Sequence, residues 1–254
     1  MKLPHSERGE GPALLLIHPG IADRRIWAEH LEPLAAAGHR AVSVDLQGFG
    51  EAAADGEPVA HWEDVVETMD ALGIAQASLL GNSFGGGVAL RVAALRPQRV
   101  SSLLLFAAAA VPQPDPSPQL LATFEAEESA IEAKDFDRAL EAILTNWVGP
   151  EAPPEARERI ATMQSENYRL HAQEPEQAPD PFEADPDLVA TIDCPALVAV
   201  GEGDMVDFRN AIDELAAKLP RATTNLMPGC GHLPSLEAPE DFRRLVLEFL
   251  SQLD

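Results

Sequence analysis

Lysine is almost missing from this chain of 254 residues: it stands only at Lys2, Lys134 and Lys218. Lysine and arginine together number 18 against 42 acidic residues, a formal net charge of −24. A surface so acidic repels phosphate, which argues against nucleic acid and against an anionic membrane as partner. Cysteine is as scarce, with Cys194 and Cys230 alone. Two cysteines build no disulfide framework, and no CxxC spacing is present. HExxH, paired Cys/His spacings and calcium-loop patterns are absent too, so no cofactor and no metal is expected. No apolar run approaches the ~20 residues of a membrane span. The start, MKLPHSERGEGPALLLIH, lacks the cationic and long apolar regions of a secretory signal. The expectation is a cytoplasmic monomer or homodimer that acts on a small molecule.

What the chain does have is a 46 % hydrophobic content, ample for a core. Short apolar runs bounded by turn residues read as buried strands: ALLLIH (13–18), AVSVD (41–45), ASLLG (77–81), SLLLF (102–106), ALVAV (196–200) and TTNLM (223–227). Helical patterns lie between most of them, over 25–38, 62–73, 86–97, 207–220 and 239–253. Strands alternating with helices imply right-handed crossovers and a mostly parallel sheet covered on both faces.

Residues 111–190 break that alternation. VPQPDPSPQ and QEPEQAPDPFEADPD are Pro-rich borders, and three helical stretches lie between them with no strand pattern. This predicts a core in two parts, 1–110 and 191–254, with a helical lid inserted above the carboxyl ends of the strands, where such sheets bind ligands.

The chemistry centres on GNSFGG. Gly81-Asn82-Ser83-Phe84-Gly85 is a G-x-S-x-G run directly after a strand and directly before a helix. Side chains at the flanking glycines would collide with backbone in so tight a turn, which leaves the Ser83 hydroxyl clear of the sheet. The Phe84 N–H and the helix N-terminus then favour a developing negative charge. A dinucleotide fingerprint would need glycine at Ser83, and a phosphate-binding loop would need Gly-Lys after Gly86; neither is present. A serine hydroxyl needs a base. Of seven histidines, His232 lies in the loop after the last strand, on the same sheet edge, and is read as that base. His30, His39, His61 and His171 read as helix-surface positions. The orienting carboxylate comes from VGEGDMVDF, which offers Glu202, Asp204 and Asp207. Asp204 is the assignment, and Asp207 reads as a helix N-cap. A second oxyanion donor must come from LLLIHPGIADRRIW: Pro19 has no N–H, so Gly20 is chosen, with Ile21 next. His18 is read as pinning this loop.

In this order and at these spacings the chain resembles an α/β-hydrolase with a lid. LLLIHPG resembles that superfamily's oxyanion loop, VDLQGFGEA its Asp-x-x-Gly-x-Gly segment, GNSFGG its elbow, VGEGDMVDF its acid loop and GCGHLPSLEAPEDF its histidine loop. The resemblance implies acyl transfer to water by Ser83, His232 and Asp204, and a substrate pocket taking in Ile21, Trp147 and Leu233. Few residues precede the first clear strand, so the leading antiparallel strands should be short and the sheet should have seven strands or fewer. Relatives that open epoxides or displace halide carry Asp at the elbow. The spelling GNSFGG is typical of C–C bond hydrolases acting on ring-fission products, yet those often carry Trp where Leu233 stands, and their anionic substrates call for lid arginines such as Arg157, Arg159 or Arg169. HLPSLEAPEDF is commoner in esterases and enol-lactone hydrolases. Ester or lactone hydrolysis therefore ranks first and C–C hydrolysis second. A small-molecule receptor on the same scaffold is the non-catalytic alternative.

Overall fold

Leu14, Leu15 and Leu16 are all fully buried, as a parallel strand covered on both faces requires. They belong to a strand whose alternate side chains feed two different cores. In the computed structural model, which describes residues 2–54, 56–108, 116–150, 152–171 and 175–253, Leu14 and Leu16 join Leu80, Leu104 and Phe106 on one face. Leu15 and Ile17 join Leu79, Leu103 and Leu105 on the other.

The strands are β1 (His5–Arg8), β2 (Ala13–Ile17), β3 (Arg40–Val44), β4 (Ala77–Asn82), β5 (Val100–Phe106), β6 (Ala196–Gly201) and β7 (Ala222–Met227). They form one sheet in the order β1-β3-β2-β4-β5-β6-β7. Only β1 runs antiparallel, against β3. The shortened lead is thus a single four-residue edge strand, and seven strands are seen among the described residues. The chain order reverses around β2, flanked by β3 and β4, so ligand chemistry belongs at the carboxyl ends of the central strands.

The core helices are α1 (Ala28–Ala36), α2 (His61–Ala71) and α3 (Phe84–Leu95). Between β5 and β6 come α4 (Pro118–Glu132), α5 (Phe136–Asn146), α6 (Pro154–Leu170) and the single turn α7 (Pro181–Ala184), with no strand among the described residues of that stretch. The core resumes with α8 (Val206–Lys218), α9 (Pro234–Glu237) and α10 (Pro239–Leu250). The first helical pattern is split: Arg24–Trp27 is a 3-10 turn capped by the Asp23 side chain, and α1 follows it. The bordering stretch 109–115 and residues 172–174 lie outside the described residues.

Hydrogen bonds tie the β5–β6 helices to the core at several points, among them Arg159 of α6 to Glu29. At the entrance, Ser117 caps α4 through its hydroxyl, and its N–H and O–H donate to the Asp207 carboxylate at 2.7 and 2.6 Å. In the middle, the Gly149 N–H donates to Glu237 at 3.3 Å. Near the exit, Asn167 accepts from the Gly50 N–H at 2.9 Å while His171 donates to the Gly50 carbonyl at 3.0 Å.

Candidate active site

Ser83 occupies the single residue between β4 and α3, with φ 52° and ψ −117°. A non-glycine residue there is strained and persists only where the surroundings over-determine it. The neighbours do so. A Cβ on Gly81 would lie 2.3 Å from the Gly85 carbonyl oxygen, and one on Gly85 would lie 2.3 Å from the Ile17 oxygen. Both contacts are with backbone, so no side-chain shift relieves them. Gly86 is equally constrained, since its Cβ would come within 2.6 Å of Ala108. The glycines around the serine are therefore demanded by packing, as the motif implied.

Asn82 fastens this turn to the histidine loop. Its amide donates to the Phe106 carbonyl at 3.0 Å and to the carbonyl of His232 at 3.2 Å. At the next strand end, Asp204 and His232 meet: Nδ1–H of the imidazole lies 2.9 Å from one carboxylate oxygen and 3.1 Å from the other. Both side chains are almost wholly buried. The Met205 N–H, at 2.7 Å, occupies one Asp204 oxygen as well. In this geometry Nδ1 is the nitrogen that donates to the carboxylate. Among the described residues no hydrogen bond joins His232 Nε2 to the Ser83 hydroxyl.

The other acids of that loop are placed differently. Glu202 is exposed. Asp207 is not the N-cap of α8: Met205 holds that position, and Asp207 sits inside the first turn, turned to Ser117. Burial works to raise its carboxyl, but the hydrogen bonds from the Ser117 hydroxyl and backbone outweigh it and leave it below the ordinary carboxylate value.

The loop after β2 runs past the elbow. A Cβ on Gly20 would sit 3.6 Å from that of Phe84, so the Gly20 backbone lies close beside α3, although an alanine would fit there. His18 anchors this loop. Its Nδ1–H donates to the Pro19 carbonyl at 2.8 Å and its Nε2 accepts from the Leu46 N–H at 3.0 Å. Burial lowers its basicity, so it stays neutral. Asp45 braces the neighbouring segment by accepting from the backbone N–H of Arg24 and of Glu51, at 2.8 and 2.9 Å, and from the Arg24 guanidinium.

The face of His232 is lined by aromatic rings. Phe208 packs edge-on at 4.4 Å between centroids, and Trp147, at the end of α5, lies 4.7 Å away. Ile21, Trp147 and Leu233 share one apolar cluster with Met205 and Phe208. The Trp147 Nε1 is buried with no hydrogen-bond partner among the described residues. The three lid arginines named as candidates for an anionic substrate have other surroundings. Arg157 donates to the Leu144 carbonyl. Arg159 pairs with Glu29 and with the carbonyls of Arg25 and Ile26. Arg169 is exposed.

Sequence reasoning missed Glu237, whose carboxylate receives the N–H groups on both sides of His232, from Gly231 at 2.6 Å and Leu233 at 3.1 Å. Its one visible signal is an acid five positions after the histidine. Sequence reasoning also put His30 and His61 on helix surfaces, whereas both are buried. Burial holds each near a pKa of about 4.

Comparison with known proteins agrees with this geometry. The chain is 29 % identical to the 2-hydroxy-6-oxo-6-phenylhexa-2,4-dienoate hydrolase of Burkholderia cepacia, over 97 % of this chain and 90 % of that protein. Its fold matches a thermophilic esterase from Thermogutta terrifontis with a TM-score of 0.80 at 25 % identity, over 99 % of this chain and 93 % of that one. It matches Est816, described as an N-acyl homoserine lactone degrading enzyme, with a TM-score of 0.76 at 25 % identity, over 97 % and 96 % of the two chains. The model of the alpha/beta hydrolase family spans residues 14–245, and with the sheet order and the elbow this shows that the chain belongs to that family of hydrolytic enzymes.

Proposed function

We propose that the chain hydrolyses a small, uncharged carboxylic ester or lactone through Ser83, His232 and Asp204. His232 Nε2 takes the hydroxyl proton as Ser83 Oγ attacks the carbonyl carbon. The charge that develops on the carbonyl oxygen is met by the backbone N–H of Phe84, at the start of α3, and by that of Gly20. Asp204 holds the imidazole in the required tautomer and supports the imidazolium. The imidazolium then protonates the leaving alkoxide, which departs as alcohol or remains tethered when a lactone opens. Water, deprotonated by His232, releases the acid from the acyl-enzyme and restores Ser83.

One observation carries the substrate class. The buried Asp204–His232 pair is surrounded by Phe208, Trp147, Met205 and Leu233, with the arginines of α6 engaged or exposed elsewhere. An apolar wall favours a neutral acyl group, because a dienoate carboxylate buried against it without a paired cation costs several kcal/mol. The Trp147 indole N–H, buried with no hydrogen-bond partner among the described residues, is available to a substrate oxygen. We further assign residues 111–190 to a lid, supported by the seating of Trp147 on the His232 ring.

The second reading is C–C bond hydrolysis of a ring-fission product, favoured by the name of the Burkholderia cepacia relative. A panel of short p-nitrophenyl esters, simple lactones and ring-fission dienoates separates the two. The ester and lactone arms should give kcat/KM at least about 100-fold above the dienoate arm. Preferred turnover of the dienoates would reverse the ranking, and no turnover in any arm would favour a receptor.

A further inference from the structure

Glu237 is a buried carboxylate with no lysine, arginine or histidine paired to it among the described residues. Leaving a charge in such a place is costly unless hydrogen bonds replace its water. Here three backbone N–H groups do so, and their origin is informative. Oε2 accepts from Gly231 at 2.6 Å, and Oε1 accepts from Leu233 at 3.1 Å and from Gly149 at 3.3 Å. Gly231 and Leu233 bracket His232. Gly149 lies in the connection between α5 and α6, two residues after Trp147, which packs on the His232 ring. Glu237 is itself held, since its own N–H donates to the Leu233 carbonyl at 3.0 Å.

The fit leaves no slack on the α5–α6 side. A Cβ on Gly149 would lie 2.4 Å from Glu237 Oε2. Other ties of the β5–β6 helices, Ser117 to Asp207, Asn167 and His171 to Gly50, and Arg159 to Glu29, end away from residues 231–233. Among the described residues, the tie from Gly149 is the one that ends on the carboxylate that also grips the histidine loop.

We propose that Glu237 is a positioning residue: its carboxylate fixes the backbone on both sides of His232 and, through Gly149, couples the seating of the α5–α6 connection to the alignment of the base. This rests on the assignment of His232 as base. It says that closing the helices over the site and aiming Nε2 at Ser83 are linked through one side chain.

The test uses two substitutions and two readouts. Glu237→Gln keeps the shape, but its amide turns an NH2 toward N–H donors, so at least one of the three bonds is lost. The rate at which a fluorophosphonate labels Ser83, which reads the activation of the hydroxyl, should fall about tenfold together with kcat, with KM within about threefold of the native value. Glu237→Asp should recover part of that loss. Gly149→Ala pushes the α5–α6 connection off the carboxylate and should raise KM about threefold or more with a smaller change in kcat. Thermal midpoints and near-ultraviolet circular dichroism establish that each variant is folded. A folded Glu237→Gln enzyme with labelling rate and kcat within about twofold of native would overturn the proposal. If Glu237→Gln does not fold, Gly149→Ala decides: an unchanged KM overturns the proposal, and a raised KM with an unchanged midpoint supports it. His232→Ala keeps the two readings apart. If it labels and turns over like the native enzyme, the base assignment fails; if it is inert while Glu237→Gln is native-like, only the role of Glu237 fails.

Discussion

At Ser83 a strained backbone, φ 52°, holds one hydroxyl at the head of α3, and two carboxylates compete nearby for the role of acid. Geometry separates them. Asp204 has both oxygens within 3.1 Å of His232 Nδ1, whereas Asp207 spends its carboxylate on Ser117. Asp204→Asn should therefore lower kcat by about 10⁴, because an amide leaves the imidazole in the wrong tautomer. Asp207→Asn should leave kcat within about tenfold and act mainly on KM, by loosening the entrance to α4. Steady-state kinetics on the best ester of the panel checks both, and a crippled Asp207→Asn beside a mild Asp204→Asn would reverse the roles. A second prediction concerns His61, which burial holds at about 4, below the usual 6.5. The unfolded chain then binds the proton more readily than the folded one, so this residue lowers stability as pH falls from about 6.5 toward 4, by up to about 3 kcal/mol. Urea unfolding of His61→Phe should show a shallower loss of stability over that window than the native chain. Equal slopes would mean that the folded state does not lower the basicity of His61. The elbow at Ser83 and the meeting of His232 with Asp204 were legible from residue type and loop position. Glu237 was not, because its partners are backbone amides, which leave no trace in side-chain spelling.

At the scale of elements, the elbow depends on how close three backbones come. Gly85 packs onto the carbonyl of Ile17 in β2, and Gly81 onto Gly85 itself. Gly85→Ala places a methyl group within 2.3 Å of a carbonyl that the central sheet holds fixed. We expect a loss of more than about 3 kcal/mol, or no folded protein, measured by chemical denaturation. Gly20→Ala meets only ordinary contact at 3.6 Å and should cost less than about 1 kcal/mol. The central strands were legible because fully buried parallel strands read as unbroken apolar runs, as in ALLLI and SLLLF, whereas β7, read as buried from TTNLM, is an edge strand with Thr223, Thr224 and Leu226 exposed. The edge strand His5–Arg8 was not legible, since HSER carries polar residues and is only partly buried. The buried His30 escaped notice because a helical pattern marks a stripe, not the depth to which it sinks. His30 reaches the Ser235 carbonyl, 205 residues away in the chain.

Across the whole molecule, the β5–β6 helices are bound to the core at their entrance, middle and exit. Their removal should leave the two apolar clusters of the sheet in place, because most of the residues in those clusters come from the core. Replacing residues 118–170 by a short loop should give a folded protein with altered ester preference and at least about tenfold higher KM. An unchanged substrate profile would deny these helices the role of a lid. The sequence placed this insertion by its Pro-rich borders and missing strands. It could not show that Arg157 and Arg159 turn to Leu144 and Glu29, because side-chain direction on a solvated helix is settled by tertiary neighbours.

The central claim is that Ser83 is the nucleophile of an acyl-transfer hydrolase. Its most direct measurement is mass spectrometry of the protein after reaction with a fluorophosphonate, read alongside ester turnover. One adduct is expected, on the peptide carrying Ser83, with loss of turnover in step with labelling and neither labelling nor turnover in Ser83→Ala. An adduct on another serine, or turnover that survives in Ser83→Ala, would contradict the claim.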